Sequence, residues 1–274
     1  MDELEACGHE VSTKRELGIK GFSDGMSYNA VRPDYPGEAM AFFASTFGLD
    51  GTVRALDLGA GSGIFTRQIR DLVGEVVAVD PSASMREAFA ASTPDVEILE
   101  GSDIAIPLDD ESVDVVFVAQ AFHWFDVPAA LEEIRRVLRP GGGLGLIWNE
   151  RDESVPWVRA LSLAMQWDRW QPYRVGRDFS GLLCAGPFRD VERVTFRHAQ
   201  LLTKESLYQR VLTTSYISVM SETERTALMR DVAKVVEPLE TARCCIWRFA
   251  LETRSGGEYD FLACPRLSSL ATPS

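Results

Sequence analysis

Two short strings place chemistry-bearing residues at spacings that matter. The first, residues 53–63, reads V-R-A-L-D-L-G-A-G-S-G. A run containing Val53, Ala55, Leu56 and Leu58 leads into Gly59, Gly61 and Gly63, and helix-compatible sequence follows from Ile64 to Leu72. Strand, glycine turn and helix is the order in which a backbone turn approaches a cofactor at the ends of parallel strands. Glycine suits the turn because, without a Cβ, φ is free and a ligand can come close. The spacing then selects among cofactors. A dinucleotide fingerprint needs G-x-G-x-x-G, but Ile64 and Thr66 stand where its third glycine would fall. The string is instead Asp57-x-Gly59-x-Gly61-x-Gly63. A second acid, Asp80, ends the apolar run E-V-V-A-V-D and precedes Pro81. It lies about 20 residues past the glycines, where a ribose-hydroxyl acceptor is needed at the tip of the next strand. Its two ionised oxygens can take both hydroxyls. The plainer alternative, an exposed acid before a proline, loses weight beside the glycine turn.

The second string, A-Q-A-F-H-W-F-D at 119–126, follows the largely apolar S-V-D-V-V-F-V-A. Such a run is a strand buried on both faces. Gln120 and His123 then sit just past a strand end, where open α/β sheets bind ligands. A lone histidine is as often a hydrogen-bonded structural group as a base, and both readings stay open here.

These strings resemble a known family. Asp57-x-Gly59-x-Gly61-x-Gly63 resembles the first motif of the class I, Rossmann-like S-adenosylmethionine-dependent methyltransferases. A-Q-A-F-H-W-F, and the Y-x-x-x-R-P-x-Y-P string from Tyr28 to Pro36, resemble a small-molecule subgroup around trans-aconitate methyltransferase. The likeness covers roughly residues 22–150, and more weakly the end of the sheet beyond 190. It implies S-adenosylmethionine as cofactor and S-adenosylhomocysteine as product. It puts Tyr28 and Arg32 at the methionine end, and Asp57, Gly59, Ala60, Gly61 and Gly63 in the cofactor turn. Asp80 and Pro81 would meet the ribose, with Ala119 and Gln120 beside the cofactor. Met85 would pack on adenine or be plain core, and Ser102, Asp103 and Ile104 would meet adenine, where the family often has alanine-glutamate. Acceptor-side candidates are Tyr28, Gln120, His123, Trp124, Trp148, Trp157 and Arg174, with His123 as orienter or base.

The chain's 274 residues fit one large α/β domain with insertions, and 46% hydrophobic content is ample for a core. A formal charge of −13 argues against nucleic acid and anionic membrane as partners. No apolar run approaches the ~18 residues of a membrane span, and the acidic start M-D-E-L-E-A predicts no signal peptide and a cytoplasmic protein. Five scattered cysteines and three histidines predict no metal site.

The order of elements predicts a doubly wound, seven-stranded, mostly parallel sheet with an antiparallel last strand and a helical cap. Residues 1–21 are expected as an N-terminal arm and 22–274 as one domain. Within it, 22–150 would bind cofactor, about 151–220 would carry cap and substrate elements, and 221–274 would finish the sheet. Residues 151–190 carry six aromatic residues interspersed with arginines, Arg151, Arg159, Arg169, Arg174 and Arg177 among them, which fits either a wall for an apolar carboxylate or a helix with core aromatics. Ser221 and Glu224 have capping-box spacing. E-Y-D-F-L-A-C-P-R at 258–266 is expected as the last strand.

The function this supports is methyl transfer to a small-molecule acceptor, O-methylation of a carboxylate or hydroxyl being favoured. The alternatives are a cofactor-dependent cyclisation or rearrangement on the same scaffold, a non-catalytic regulatory module, and an NAD-dependent oxidoreductase. Oligomeric state is not set by the sequence.

Overall fold

A computed structural model describes residues 25–167, 188–239 and 242–254, together with Phe179, Gly181, Leu183 and Gly186. The expected arm at 1–21, the strand expected at 258–266 and Arg174 lie outside these residues.

Among the described residues, seven strands form one sheet: β1 (Arg54–Leu58), β2 (Glu75–Asp80), β3 (Glu97–Glu100), β4 (Val113–Ala119), β5 (Leu138–Arg151), β6 (Arg189–Leu202) and β7 (Ala242–Arg254). Their spatial order is β3-β2-β1-β4-β5-β7-β6. The first five run parallel, and β7 is antiparallel to both β5 and β6. Before and between them come α1 (Gly25–Val31), α2 (Gly37–Phe47), α3 (Thr66–Ile69), α4 (Ala83–Ser92), α5 (Val127–Val137), α6 (Pro156–Ala164), α7 (Lys204–Leu212), α8 (Ser215–Ser218) and α9 (Glu222–Val236).

Strand alternation builds the two layers. Side chains alternate faces along a strand, so Leu56, Leu58, Val116, Val118, Leu144 and Leu146 enter one apolar cluster with Leu131, Ile134 and Val137 of α5. Their neighbours Ala55, Val115, Phe117 and Ile147 enter the opposite cluster with Ala39, Met40 and Phe43 of α2. In α5 the buried Ala130, Leu131, Ile134 and Val137 recur at helical spacing, so one stripe faces the sheet.

Two helix ends follow from local sequence. Helix α5 ends at Val137, ahead of Pro140. Proline disfavours the helical region for its predecessor, and Leu138 is already paired with Val113. The helix after the glycine turn is short, with a 3-10 turn at Arg70–Leu72 in place of its last part.

Beyond β5, helices α6 to α9 pack around a third cluster that includes Leu161, Met165, Leu207, Val211, Tyr216 and Val232. Helix α9 begins with the capping box of Ser221 and Glu224. Phe179 and Phe188 are core, not an exposed wall: both join the α5-side cluster, and Phe179 stacks on Trp148 at 5.5 Å.

Candidate active site

A cleft of about 950 Å³, counting its open mouth, lies at the carboxyl ends of β1, β2, β3 and β4. That is where the sheet reverses its winding, with β2 on one side of β1 and β4 on the other.

The glycine turn forms its floor. Gly59, Gly61 and Gly63 have φ of 75°, 56° and 82°, values that L side chains adopt only with strain. Each faces something different. A Cβ at Gly59 would lie 2.6 Å from Ala121 Cβ, and one at Gly63 would lie 2.8 Å from Thr93 Oγ1. A Cβ at Gly61 would meet nothing nearer than Met85 Sδ at 3.9 Å. Gly59 and Gly63 therefore serve packing, whereas the missing side chain of Gly61, which lines the cleft, leaves room for a ligand.

Asp80 ties the turn to β2. Its Oδ2 accepts the Gly61 N–H at 2.8 Å and its Oδ1 accepts the Ser82 N–H at 2.8 Å. Each carboxylate oxygen keeps acceptor capacity beyond that one bond. Burial pushes its carboxyl above the usual range, while the Ser82 and Gly61 amides and the Arg86 charge oppose the shift. Asp57 is fully buried beneath the turn. The Thr66 hydroxyl donates to its Oδ2 at 2.5 Å, and Oδ1 has no partner. Burial raises its carboxyl to about 7, the Thr66 hydroxyl acts against this, and the Asp80 charge adds to it.

Helix α1 brings Tyr28 to the cleft wall. Asn29 Oδ1 accepts from Arg67 at 2.9 Å and from the Ser62 hydroxyl at 3.2 Å, so α1 is fastened to the glycine turn. Tyr35 also lines the cleft; its backbone exchanges two 2.7 Å hydrogen bonds with the Gln68 amide. On the far side Gln120 adopts φ 60°, an uncommon conformation for its type, at the end of β4. Its backbone N–H bonds Ile147 O at 2.9 Å, and its amide nitrogen bonds Asn149 O at 3.3 Å. Asp103 accepts the N–H of Asp126, the N-cap of α5, at 2.9 Å.

The cleft thus gathers Tyr28, Gly59, Ala60, Gly61, Asp80, Pro81, Met85, Ser102, Asp103, Ala119, Gln120 and Trp124 from the residues singled out in the sequence. The others lie elsewhere. Gly63 and Asp57 support the turn from behind, and Ile104 is 43% exposed rather than against the cleft. Arg32 stacks on Tyr28 and reaches Thr213. Trp148, 1% exposed, is core, and Trp157 packs on the third apolar cluster. His123 is buried behind the lining, and its Nδ1 accepts the indole N–H of Trp148 at 3.3 Å. The cleft also takes in Ser62, Ser82 and Phe125, which the sequence reading did not single out. Ser62 and Ser82 each directly follow a residue that was singled out, and that adjacency was the available signal.

Comparison with known proteins shows the family. Residues 56–146 match the family model described as a methyltransferase domain. An uncharacterised methyltransferase-like protein of Schizosaccharomyces pombe is 35% identical over 227 residues, spanning 82% of this chain and 89% of its own length. The chain belongs to the S-adenosylmethionine-dependent methyltransferases. An uncharacterised methyltransferase of Mycobacterium tuberculosis is 37% identical over 224 residues, 82% of this chain and 88% of that one. The fold is that of the YcgJ protein of Bacillus subtilis, with a TM-score of 0.55 at 17% identity over 81% of this chain and 99% of that one. The methyltransferase's cleft fits its cofactor: the floor is open at Gly61, and Asp80 can still accept ribose hydroxyls. The unpartnered Oδ1 of Asp57 lies beneath the same turn.

Proposed function

We propose that this methyltransferase O-methylates a small molecule, with a carboxylate, which arrives already ionised, favoured over a hydroxyl. The supporting observation is the condition of the proton acceptors around the cleft. The two lining carboxylates, Asp80 and Asp103, already hold backbone N–H groups. The Nδ1 lone pair of His123 is committed to Trp148. A hydroxyl, amine or carbon acid would need a base placed to take its proton. A carboxylate needs none.

When bound, the cofactor would supply a methyl group activated by its sulfonium. A carboxylate acceptor would take it as a methyl ester, with no proton to move. What the chain contributes is alignment, which can itself lower a barrier by several kcal/mol, roughly 7–11 in the best cases. Asp80 and the Gly61 turn are proposed to hold the ribose end, Ser102 and Asp103 the adenine end and Tyr28 the methionine end. Gln120 and Trp124 are proposed to face the acceptor, and His123 to orient the wall behind them.

The test uses methyl-deuterated S-adenosylmethionine with a metabolite extract, followed by mass spectrometry before and after mild alkali. The expected product carries the intact label and loses it to alkali as an ester does. An alkali-stable labelled product would replace the carboxylate with a hydroxyl, amine or carbon acceptor. Substrate turnover without label would point to a rearrangement.

A further inference from the structure

Arg32 lies between two parts of the molecule that share no apolar core. On one side is α1, which belongs with the cofactor floor. Asn29 is fastened to Ser62 and Arg67, and a Cβ at Gly25 would lie 2.8 Å from Ala88 Cβ of α4, so α1 and α4 are in close contact. On the other side are α6 to α9, packed around a cluster distinct from the two that flank the sheet. No residue of these four helices lines the cleft among the described residues.

The guanidinium of Arg32 sits 4.5 Å from the centre of the Tyr28 ring, which forms cleft wall. Its Nη2 donates to Thr213 O at 2.8 Å. Thr213 is the C-cap of α7 and precedes Thr214, the N-cap of α8. Carbonyls at a helix C-terminus lack intrahelical partners and carry the negative end of the helix dipole, so a cation is well placed there. The same side chain has no carboxylate partner among the described residues, and its Nε is buried without a hydrogen bond. Among the described residues, the Tyr28 ring and the Thr213 corner are what hold the guanidinium. A side chain so held transmits position in both directions: a shift of the Tyr28 ring moves the support of the α7–α8 corner, and the reverse.

We propose that Arg32 is a positioning residue that couples occupancy of the cofactor cleft to the helical cap through Tyr28 and Thr213. A ligand seated against Tyr28 then orders the α7–α8 corner without touching it. By linkage, the cap's closing over an acceptor strengthens cofactor binding by the same factor. The proposal rests on the cleft being the cofactor site, and the experiment separates the two.

Amide hydrogen exchange on the full chain, with S-adenosylhomocysteine as the probe, reads the coupling directly, and calorimetry reads the probe's affinity. In the unsubstituted protein the probe should slow exchange both in residues 59–63 and in residues 204–218, the latter by at least about fivefold. In Arg32→Ala the probe should still bind and still protect 59–63, while 204–218 no longer respond. Arg32→Lys keeps a cation and a donor but not the flat face over Tyr28, and should restore part of the response. It carries the same test if the alanine variant fails to fold. A cap indifferent to the probe in the unsubstituted protein would overturn the proposal, as would a full response in Arg32→Ala. Loss of probe binding in Arg32→Ala would make Arg32 a cofactor ligand instead. Failure of the probe to bind the unsubstituted protein would remove the cleft assignment itself.

Discussion

Trp148 of β5 donates its indole N–H to Nδ1 of His123, 25 positions earlier in the chain, across 3.3 Å in the buried interior. An indole nitrogen is a donor only, so Nδ1 must present its lone pair and the proton of a neutral imidazole sits on Nε2. This makes His123 a donor at its remaining nitrogen. A role in orientation follows more readily than a role as base.

The pair should behave as one structural unit. His123→Ala leaves a buried indole N–H unsatisfied and should cost roughly 1–3 kcal/mol of stability. Adding Trp148→Phe on that background should cost less than Trp148→Phe alone. Denaturant unfolding of the four proteins in a double-mutant cycle measures the coupling. If His123→Ala abolished turnover at unchanged stability, a direct part in catalysis would be established instead.

Asp80→Asn should weaken cofactor binding about 10- to 100-fold. Hydrogen bonds to charged groups are worth about 1.5–3 kcal/mol, and each 1.4 kcal/mol is tenfold in affinity. The amide also offers N–H where the Gly61 and Ser82 amides need an acceptor. Calorimetric titration with S-adenosylhomocysteine checks this, and an unchanged affinity would move the ribose site away from Asp80.

Gly59→Ala and Gly61→Ala separate packing from ligand clearance. Both put a side chain at positive φ, a strain of roughly 1–2 kcal/mol. At Gly59 the added Cβ also meets Ala121 at 2.6 Å, so the melting temperature should fall further there. At Gly61 the Cβ has free space, so the protein should keep most of its stability and lose cofactor affinity. Thermal melts and binding measured on the same samples distinguish the two outcomes.

Asp57 predicts a pH dependence of stability. Its folded carboxyl stands at about 7 against an ordinary 3.8, so the native state holds a proton that the unfolded chain has released. Stability from this group is full below about pH 4 and is lost as pH rises to about 7, where the buried carboxyl must ionise. Asp80, also raised by burial, pulls in the same direction. Asp57→Asn should flatten the slope between pH 4 and 7 in urea unfolding; a slope unchanged by the substitution would mean that Asp57 ionises as freely when folded as when unfolded. Cofactor binding runs the opposite way, because a cationic sulfonium favours ionised carboxylates nearby. Affinity should therefore rise over the same interval.

Much of the parallel part of the sheet was legible in the sequence because its determinants are local. Strand alternation has a period of two, so residues 55–58 and 115–118 announce which side chains enter which layer. The turn at 59–63 needs positive φ at three alternate positions, and glycine supplies it without strain. Asp80 follows because the next parallel strand ends beside that turn. The capping box at Ser221 and Glu224 is likewise complete within four residues.

What only the tertiary structure decided are contacts between residues far apart in the chain. Arg32 has the composition of a ligand-binding arginine, yet its partner Thr213 stands 181 positions away, across the contact between α1 and α7. Phe179, Phe188 and Trp148 could have walled an acceptor, and instead they fill the core beside α5. Asp57 and Asp80 are both acids beside the same glycines. Burial puts one beneath the turn with an oxygen unpartnered and the other on the cleft with both oxygens engaged. Residue type and spacing specify what a side chain can do; the packing of distant elements decides what it meets.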